Sequence, residues 1–315
     1  MESDALPKCT DDFVVILFYR YVRIEHPEEE LKKQRSLCER LALSGRMIIA
    51  EEGINATLEG TTGNIEQYSI EMRADPRFAD IHWKRSVGTG NAFPKLKIKV
   101  RPEIVSLHLD EDIDPNQITG KRLAPDELKQ WYESGKDFVV VDMRNDYEHR
   151  VGRFKDSILS PLQNFRDLPQ KIDKIENLKS KTILTVCTGG VRCEKASGFL
   201  VREGFTDVYQ LDGGIVSYME KYPGQEFEGT LYTFDNRITM DFDSPEQHRV
   251  VGTCDFCENK TEAFHNCNNP DCNAKVLVCA TCLNNREGKV FCSNECRYEV
   301  TNLQRIDNEQ ATNLL

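Results

Sequence analysis

The sequence predicts an α/β protein with an α+β part at the N-terminus, a doubly wound parallel sheet in the middle and a small cysteine-rich segment at the end. Three observations predict it. The 315 residues exceed what one core normally holds. Strands alternate with helical stretches in the middle third. Eight of the twelve cysteines fall between residues 254 and 296. We place the parts at residues 1–101, 102–118 as a linker, 119–225 and 226–315.

Composition indicates a folded, soluble chain, because 39% of the residues are hydrophobic and 30% are charged. The longest apolar run, Phe13 to Tyr19, is far shorter than the ~18 residues that a membrane span needs. Glu2 and Asp4 stand where an export signal would carry basic residues. We therefore expect a cytoplasmic protein without membrane segments.

Charge is unevenly distributed along the chain. The formal net charge is −11, yet residues 1–101 carry equal numbers of basic and acidic side chains. An acidic chain does not favour nonspecific nucleic-acid binding, but a neutral domain with clustered lysines can still hold a phosphate backbone. Net charge therefore does not exclude RNA.

The first part alternates strands and helices. From Phe13 the run FVVILFYRYV predicts a buried strand, and Pro27 opens a helix that Ser44-Gly45 ends. Further strands are predicted at 46–50, 54–59, 81–85 and 96–100, with a helix at 65–73. The resulting β-α-β-β-α-β order predicts a ferredoxin-like, or acylphosphatase-like, domain.

A basic stripe ends this domain. Four cations alternate at period two, so they share one face of a strand, opposite Leu96, Ile98 and Val100. They are Lys95, Lys97, Lys99 and Arg101. Two interpretations stay open: a solvated edge strand on which lysines prevent aggregation, or a track for RNA phosphates assisted by Lys84 and Arg85.

The middle part predicts a parallel sheet. Ala124-Pro125 opens a helix, and apolar strands are predicted at 138–141, 182–186 and 208–211, separated by helical stretches. Such sheets bind ligands beyond the carboxyl ends of their strands, and Cys187 stands directly after the second of these strands.

The residues around Cys187 favour a thiolate. Glycines in a loop let several N–H groups converge at a helix N-terminus, and a neighbouring arginine adds a full positive charge. Both lower the pKa of a cysteine, which makes Cys187 the predicted nucleophile. The loop that forms this anion cradle comprises Thr188, Gly189, Gly190, Val191 and Arg192.

The length of the loop separates two chemistries. A cysteine-dependent phosphatase needs its arginine one position later than Arg192, so this shorter loop suits a smaller group such as persulfide sulfur. Cys193 has two interpretations. It either resolves an oxidised or persulfidated Cys187 by disulfide exchange, or it packs as a small residue in the first helical turn.

The C-terminal cysteines have the spacing C-x2-C-x9-C-x4-C-x6-C-x2-C-x9-C-x3-C. Eight thiols suit two tetrahedral zinc sites. The sites either use the first four and last four cysteines, or interleave so that Cys254 and Cys257 join Cys279 and Cys282. The predicted ligands are Cys254, Cys257, Cys267, Cys272, Cys279, Cys282, Cys292 and Cys296.

Several segments carry a family resemblance. VVVDMRNDYEHRVGRF, the Cys187 loop and VYQLDGGIVSYMEKYP resemble a rhodanese domain. Together with AEEGINATLEG, NAFPKLKIKVRPEIVSL and the cysteine segment, they are similar to the bacterial TrhO family. The resemblance implies a tRNA uridine hydroxylase that uses molecular oxygen, acts on the wobble uridine and has the rhodanese cysteine, here Cys187, as catalytic residue.

The rhodanese pattern also covers Asp142, Arg144 and Glu148, which we interpret as an ion-pair network supporting the loop. Gly152-Arg153 departs from the Gly-His common in these domains, so no histidine role is transferred.

Three functions remain in competition. The first is a hydroxylase acting on the tRNA anticodon loop, the second a sulfurtransferase carrying a persulfide on Cys187, and the third a binding module that uses the zinc segment. No nucleotide-cofactor fingerprint is present.

Overall fold

The computed structural model describes residues 12–242, 248–272 and 274–302. They form two compact units. The first comprises the chain up to Asn145, residues 156–222 and residues 233–237; the second comprises residues 146–155, residues 223–232 and the remainder from Ile238.

The N-terminal sheet has the predicted ferredoxin-like topology with one added strand. Its strands lie in the order β4-β1-β3-β2-β5, and β5 runs parallel to β2 while the other pairs are antiparallel. Residues 44–45 begin a strand and do not end the preceding helix, which stops at Arg40. The elements are β1 (Phe13–Tyr21), α1 (Pro27–Arg40), β2 (Ser44–Ala50), β3 (Gly53–Thr61), α2 (Thr62–Arg73), β4 (Lys84–Val87) and β5 (Leu96–Val100).

Alternation along the strands gives this sheet two unlike faces. Ile16, Phe18 and Met47 pack with residues of α1 and α2 in one apolar core. The other face carries the intervening residues. Paired positions place five of these side chains in one row across the sheet: Lys84, Leu17, Thr57, Arg46 and Lys97.

The second sheet is the predicted parallel one. Its strands lie in the order β6-β11-β10-β7-β9, and all four pairs are parallel. In chain order the elements of this region are β6 (Lys121–Leu123), α3 (Pro125–Ser134), β7 (Val139–Asp142), β8 (Gly152–Phe154), β9 (Ile158–Leu159), α4 (Leu168–Lys171), β10 (Thr182–Val186), α5 (Val191–Arg202), β11 (Asp207–Leu211) and α6 (Gly214–Lys221).

The segment 102–118 between the two sheets is packed. Ile104, Leu107 and Ile113 are buried. The ammonium of Lys195 on α5 is held by three carboxylates at 2.7–2.8 Å, those of Glu52, Glu103 and Asp112. Through Lys195, the parallel-sheet domain is therefore joined to the N-terminal domain and to the connecting segment within the first unit.

The second unit contains short antiparallel pairs. β8 pairs with β12 (Phe227–Gly229), β13 (Leu231–Tyr232) with β14 (Thr239–Met240), and β15 (Phe264–Asn266) with β16 (Lys275–Leu277). Helix α7 (Ala280–Asn284) follows, and residues 294–302 are helical. None of the described helices combines the length and apolar character of a membrane span.

Candidate active site and metal centres

Cys187 lies at the carboxyl end of β10, in the centre of the parallel sheet, and α5 begins four residues later at Val191. Its side chain has no exposed surface. The N–H of Gly190 donates to Cys187 Sγ over 3.2 Å, and the N–H groups of Arg192 and Cys193 also bond to the sulfur. The loop therefore forms the predicted cradle of backbone donors around one thiol.

The surroundings favour the ionised form of that thiol. Burial raises its pKa, but the hydrogen bond from the Cys193 thiol, the positive charge of Arg192 and the backbone donors outweigh burial and hold the pKa of Cys187 at about 6. Burial and the neighbouring thiolate raise the pKa of Cys193 well above its usual value. Cys187 is therefore the thiol of this pair that ionises first, and Cys193 is a buried thiol that donates to it.

Two glycines of the loop lie where a larger residue would be strained or crowded. Gly190 has φ of +96°, a left-handed conformation that favours glycine. A Cβ on Gly189 would lie 2.4 Å from Leu17 Cδ2 of β1. The N-terminal sheet thus approaches the loop so closely that a side chain at residue 189 would require Leu17 to move.

Two tyrosines of β1 fix this approach. Tyr19 Oη donates to Glu194 Oε1 over 3.0 Å, and Tyr21 Oη donates to the carbonyl of Val191 over 3.2 Å. Glu194 is buried and also pairs with Arg122 at 2.6 Å. The first turn of α5 is therefore positioned from the N-terminal domain.

A cleft of about 470 Å³ opens between the loop and this sheet. Thr188, Gly189 and Arg192 form one wall, and the guanidinium of Arg192 donates to Thr188 Oγ1 over 3.2 Å. Arg46, Asn55 and Thr57 lie on the opposite wall, on the face of the N-terminal sheet that does not pack against α1 and α2. The remaining lining combines apolar and polar groups, among them Ile48, Phe93, Val105, Asn145, Asn164, Phe165, Arg166 and Phe234. The cleft thus combines apolar surface with a few polar groups, as ligand sites commonly do.

Lys84 is a buried cation on the same sheet face. It is 3% exposed, and its Nζ lies 5.0 Å from the centre of the Tyr19 ring. No described carboxylate is within ion-pair distance of it. Burial lowers its pKa to about 8, against the attraction of the Cys187 thiolate and of Asp212. A cation buried without an ion-pair partner is costly, and the attraction of the nearby thiolate offsets only part of that cost.

The basic stripe is only partly as expected. Lys95, Lys97, Lys99 and Arg101 are exposed. Arg46, which lines the cleft, is the paired neighbour of Lys97, so the stripe and cleft share one sheet face. The expectation that Lys84 and Arg85 assist the stripe needs correction.

β4 and β5 are opposite edges of the sheet, and Lys84 is buried. Arg85 is paired with Ile16 on the other face and binds Glu66 of α2. Alternation of side chains along β4 explains this separation.

Of the residues expected to form an ion-pair network, Asp142 and Arg144 pair with each other in the first unit. Asp142, the last residue of β7, and Arg144 are both fully buried and bond at 2.6 Å. Glu148 is fully buried in the second unit. These residues lie among core side chains, which fits a structural role.

The terminal cysteines form two interleaved clusters, which resolves the alternative left open by spacing. All sulfurs within a cluster lie within 4.8 Å of one another. The first cluster is Cys254, Cys257, Cys279 and Cys282; the second is Cys267, Cys272, Cys292 and Cys296.

The sulfur geometry fits a tetrahedral metal. Measured contacts are 3.5 Å between Cys257 and Cys279 and 3.6 Å between Cys272 and Cys292. Four thiolates at about 2.3 Å from zinc lie roughly 3.8 Å apart. Backbone N–H groups of Cys279 and Cys292 donate to the sulfurs of Cys254 and Cys267 at 3.4 and 3.5 Å. Each cluster can thus hold one metal ion with support from backbone donors.

Several residues of the site were not predicted. Tyr19, Glu194, Arg166 and Phe234 were not among the predicted site residues. The available signal was alternation: Leu17 and Tyr19 lie on the face opposite the Ile16 and Phe18 core, and large side chains on both faces of a strand indicate a second packing partner.

Three protein families match successive parts of the chain. The UPF0176 acylphosphatase like domain matches residues 13–104, the Rhodanese-like domain residues 124–221 and the Rhodanase C-terminal description residues 228–297.

Full-length relatives are similar over nearly the whole chain. A tRNA uridine(34) hydroxylase of Cytophaga hutchinsonii is 42% identical over 91% of this chain and 90% of its own. One of Bacillus cereus (strain AH187) is 44% identical over 95% and 94%. A solved rhodanese-like domain protein from Staphylococcus aureus is 28% identical, covering 31% of this chain and 90% of that one with a TM-score of 0.27.

Proposed function

The chain belongs to the tRNA uridine(34) hydroxylase family, and we propose that it converts uridine 34 of tRNA into 5-hydroxyuridine, with Cys187 as catalytic residue and molecular oxygen as co-substrate. The identity of 42–44% over more than nine tenths of the chain supports the family and the enzyme class. The observation that carries the catalytic assignment is the Cys187 thiolate, held by backbone donors beside a cleft.

The chemistry follows from the thiolate and the base. Uracil is electrophilic at C6, so addition of Cys187 Sγ there leaves C5 electron-rich and able to bond to an oxygen species. Loss of the C5 proton and of the thiolate from C6 then restores the aromatic ring. Incorporation of one atom of O2 with release of the other as water requires two further electrons, which an external reductant supplies.

The anticodon loop is a favourable target for such a site. Its bases are not paired, so little free energy is lost when one of them leaves the stack. The cleft beside Cys187 combines apolar walls with the amides of Asn55, Asn145 and Asn164, which suits the flat faces and polar edges of a pyrimidine. The enzyme would then act where tRNA is found, in the cytoplasm.

The basic stripe would bind the phosphates around that loop. Lys97 and Lys99 are exposed on β5, and their paired neighbours Arg46 and Ile48 line the cleft. A strand of RNA lying along the stripe can therefore insert a base into the cleft without crossing to another surface. Lys95 and Arg101 extend the same row at either end.

The two cysteine clusters would hold zinc in a structural role. Each offers four sulfurs and leaves no position for substrate. Zinc bound there would stabilise the terminal segment, and the proposed hydroxylation takes place at Cys187, which belongs to the other unit.

The direct test is nucleoside mass spectrometry of tRNA from cells lacking this protein. We expect 5-hydroxyuridine and its derivatives to disappear, to return with the wild-type chain and not to return with Cys187→Ser. Labelling with ¹⁸O2 should place heavy oxygen at C5. Unchanged nucleosides in the deletion strain would refute the proposal.

A sulfurtransferase is the second candidate, and the short Cys187 loop favours it because that loop accommodates a persulfide. Purified protein that transfers sulfur from thiosulfate to cyanide, with tRNA nucleosides unchanged in the deletion strain, would establish the sulfurtransferase in place of the hydroxylase. Sulfur transfer that depends on Cys187 together with loss of 5-hydroxyuridine would instead assign both reactions to one thiol.

A further inference from the structure

A large cleft lies in the second unit, beside the interleaved cysteine clusters. Its volume is about 1020 Å³, at or above the upper end of the roughly 300–1,000 Å³ typical of small-molecule sites. The loop after α7 and the terminal helical residues 294–302 form most of its wall. A cleft of this volume has room for a segment of a macromolecule as well as for a small molecule.

The charges of this cleft oppose those of the whole chain. Arg286, Lys289 and Arg297 line it together with a single carboxylate, that of Glu287. Within the described residues, no carboxylate forms an ion pair with Lys289 or Arg297. In a chain of net charge −11, such a local excess of cations attracts a polyanion.

Aromatic and amide groups stand between these cations. The Arg286 guanidinium lies 3.9 Å from the centre of the Phe256 ring, and Phe291 lines the same cleft. Asn268, Asn285 and Asn294 add amide groups. Cations that bind phosphates, rings that stack on bases and amides that bond to sugar and base edges are the components of an RNA site.

We propose that this cleft is a second RNA-binding site, which holds the substrate tRNA at a position other than the base entering the Cys187 cleft. The inference rests on the proposed function, because that function supplies the RNA. The cysteine clusters would then have a purpose beyond folding: they keep the loop 285–291 and the helical residues 294–302 in the arrangement that forms the cleft.

The test is the salt dependence of binding between the full chain and an unmodified tRNA transcript. Removing one phosphate-binding cation reduces the slope of log affinity against log salt by about 1, so Lys289→Gln with Arg297→Gln should reduce it by about 2. We expect affinity at 100 mM salt to fall roughly tenfold. The control is Lys260→Gln with Lys275→Gln, which changes the net charge equally outside the cleft.

A second measurement uses the wild-type chain and is independent of folding of the variants. Bound tRNA should protect Lys289 from acetylation and leave Lys260 reactive. Equal loss of affinity in both double variants, or an unprotected Lys289, would overturn the inference. The two proposals can fail separately. If the chain binds tRNA through this cleft but forms no 5-hydroxyuridine, the proposed function alone is refuted. If the Lys289→Gln, Arg297→Gln variant binds tRNA as the wild type does and hydroxylates it normally, this inference alone is refuted.

Discussion

The hydroxyl of Tyr19 on β1 donates a hydrogen bond over 3.0 Å to the carboxylate of Glu194 on α5, seven residues after Cys187. The two residues belong to different predicted domains, yet both are in one compact unit. Glu194 also binds Arg122 and Gln210. The N-terminal domain therefore helps to position the first turn of α5 beside the candidate active site.

Replacing Tyr19 by Phe removes this bond but keeps the ring. We expect a loss of about 1 kcal/mol in unfolding free energy, because Glu194 retains its other partners. Hydroxylation should fall by a larger factor than stability alone explains, since the first turn of α5 loses one of its two tyrosine supports. Urea denaturation and single-turnover hydroxylation measure the two effects. Tyr21→Phe, which removes the bond to Val191, is the matched comparison, and full activity in Tyr19→Phe would contradict a positioning role.

The pKa of Cys187 is open to direct measurement. With a pKa of about 6, its rate of alkylation by iodoacetamide should rise to half its maximum near pH 6 and stay constant above pH 7. Arg192→Gln should move this midpoint upwards, because the positive charge that favours the thiolate is lost. Peptide mapping separates Cys187 from Cys38, whose pKa burial raises to about 12. The midpoint is the relevant readout because burial slows the absolute rate for every reagent. A midpoint at or above 8.5 would remove the basis for catalysis by this thiol.

The buried charge of Lys84 is expected to lower the stability of the fold and at the same time to favour the Cys187 thiolate. Burial lowers its pKa from 10.5 to about 8, which corresponds to roughly 3 kcal/mol of destabilisation while the side chain is charged. Lys84→Met should therefore stabilise the fold at pH 7 by up to that amount. It should also raise the pKa of Cys187 and slow hydroxylation, because a nearby positive charge is removed.

The sign of the pH dependence provides the control. Between pH 8 and pH 10.5 the unfolded chain keeps the proton that folded Lys84 has released, so wild-type stability gains from raising the pH across this range. The advantage of Lys84→Met should shrink across the same range and vanish near pH 10.5. Denaturation midpoints at several pH values test this. Destabilisation at pH 7 would show that Lys84 has a favourable partner in solution.

The sequence indicated the elements and the loop of backbone donors around Cys187 well, because both depend on local pattern. Period-two alternation predicted β5, and a strand followed by glycines and an arginine predicted the donor loop. The packing of the N-terminal sheet against the Cys187 loop was not predictable. Leu17 and Tyr19 indicate that the second face of the sheet is covered, but not which part of the chain covers it. The burial of Lys84 was not predictable for the same reason. Period-two alternation indicates on which face of a strand a side chain lies, but not whether that face is buried. The arrangement of the cysteine clusters was not predictable either, because the same spacing fits both sequential and interleaved sites.

The basic stripe can be tested by charge reversal. Lys97→Glu with Lys99→Glu should weaken tRNA binding and reduce its salt slope by about 2 or more, because two phosphate contacts are replaced by repulsion. Lys32→Glu with Lys33→Glu on α1 makes the same change in net charge on the other side of the sheet. Fluorescence anisotropy with an anticodon stem-loop measures both variants. The stripe would be a solvated edge, as the alternative interpretation holds, if the two variants bound equally well.

Metal stoichiometry tests the interleaved clusters. In the structure Cys254 and Cys279 share one cluster while Cys254 and Cys267 belong to different ones. Cys254→Ser with Cys279→Ser should therefore leave one zinc per chain, and Cys254→Ser with Cys267→Ser should leave none, since a site that loses a thiolate loses most of its affinity. A sequential arrangement predicts the opposite order, because Cys254 and Cys267 would then share a site. Native mass spectrometry of the two double variants distinguishes the arrangements with the same number of thiols removed from each.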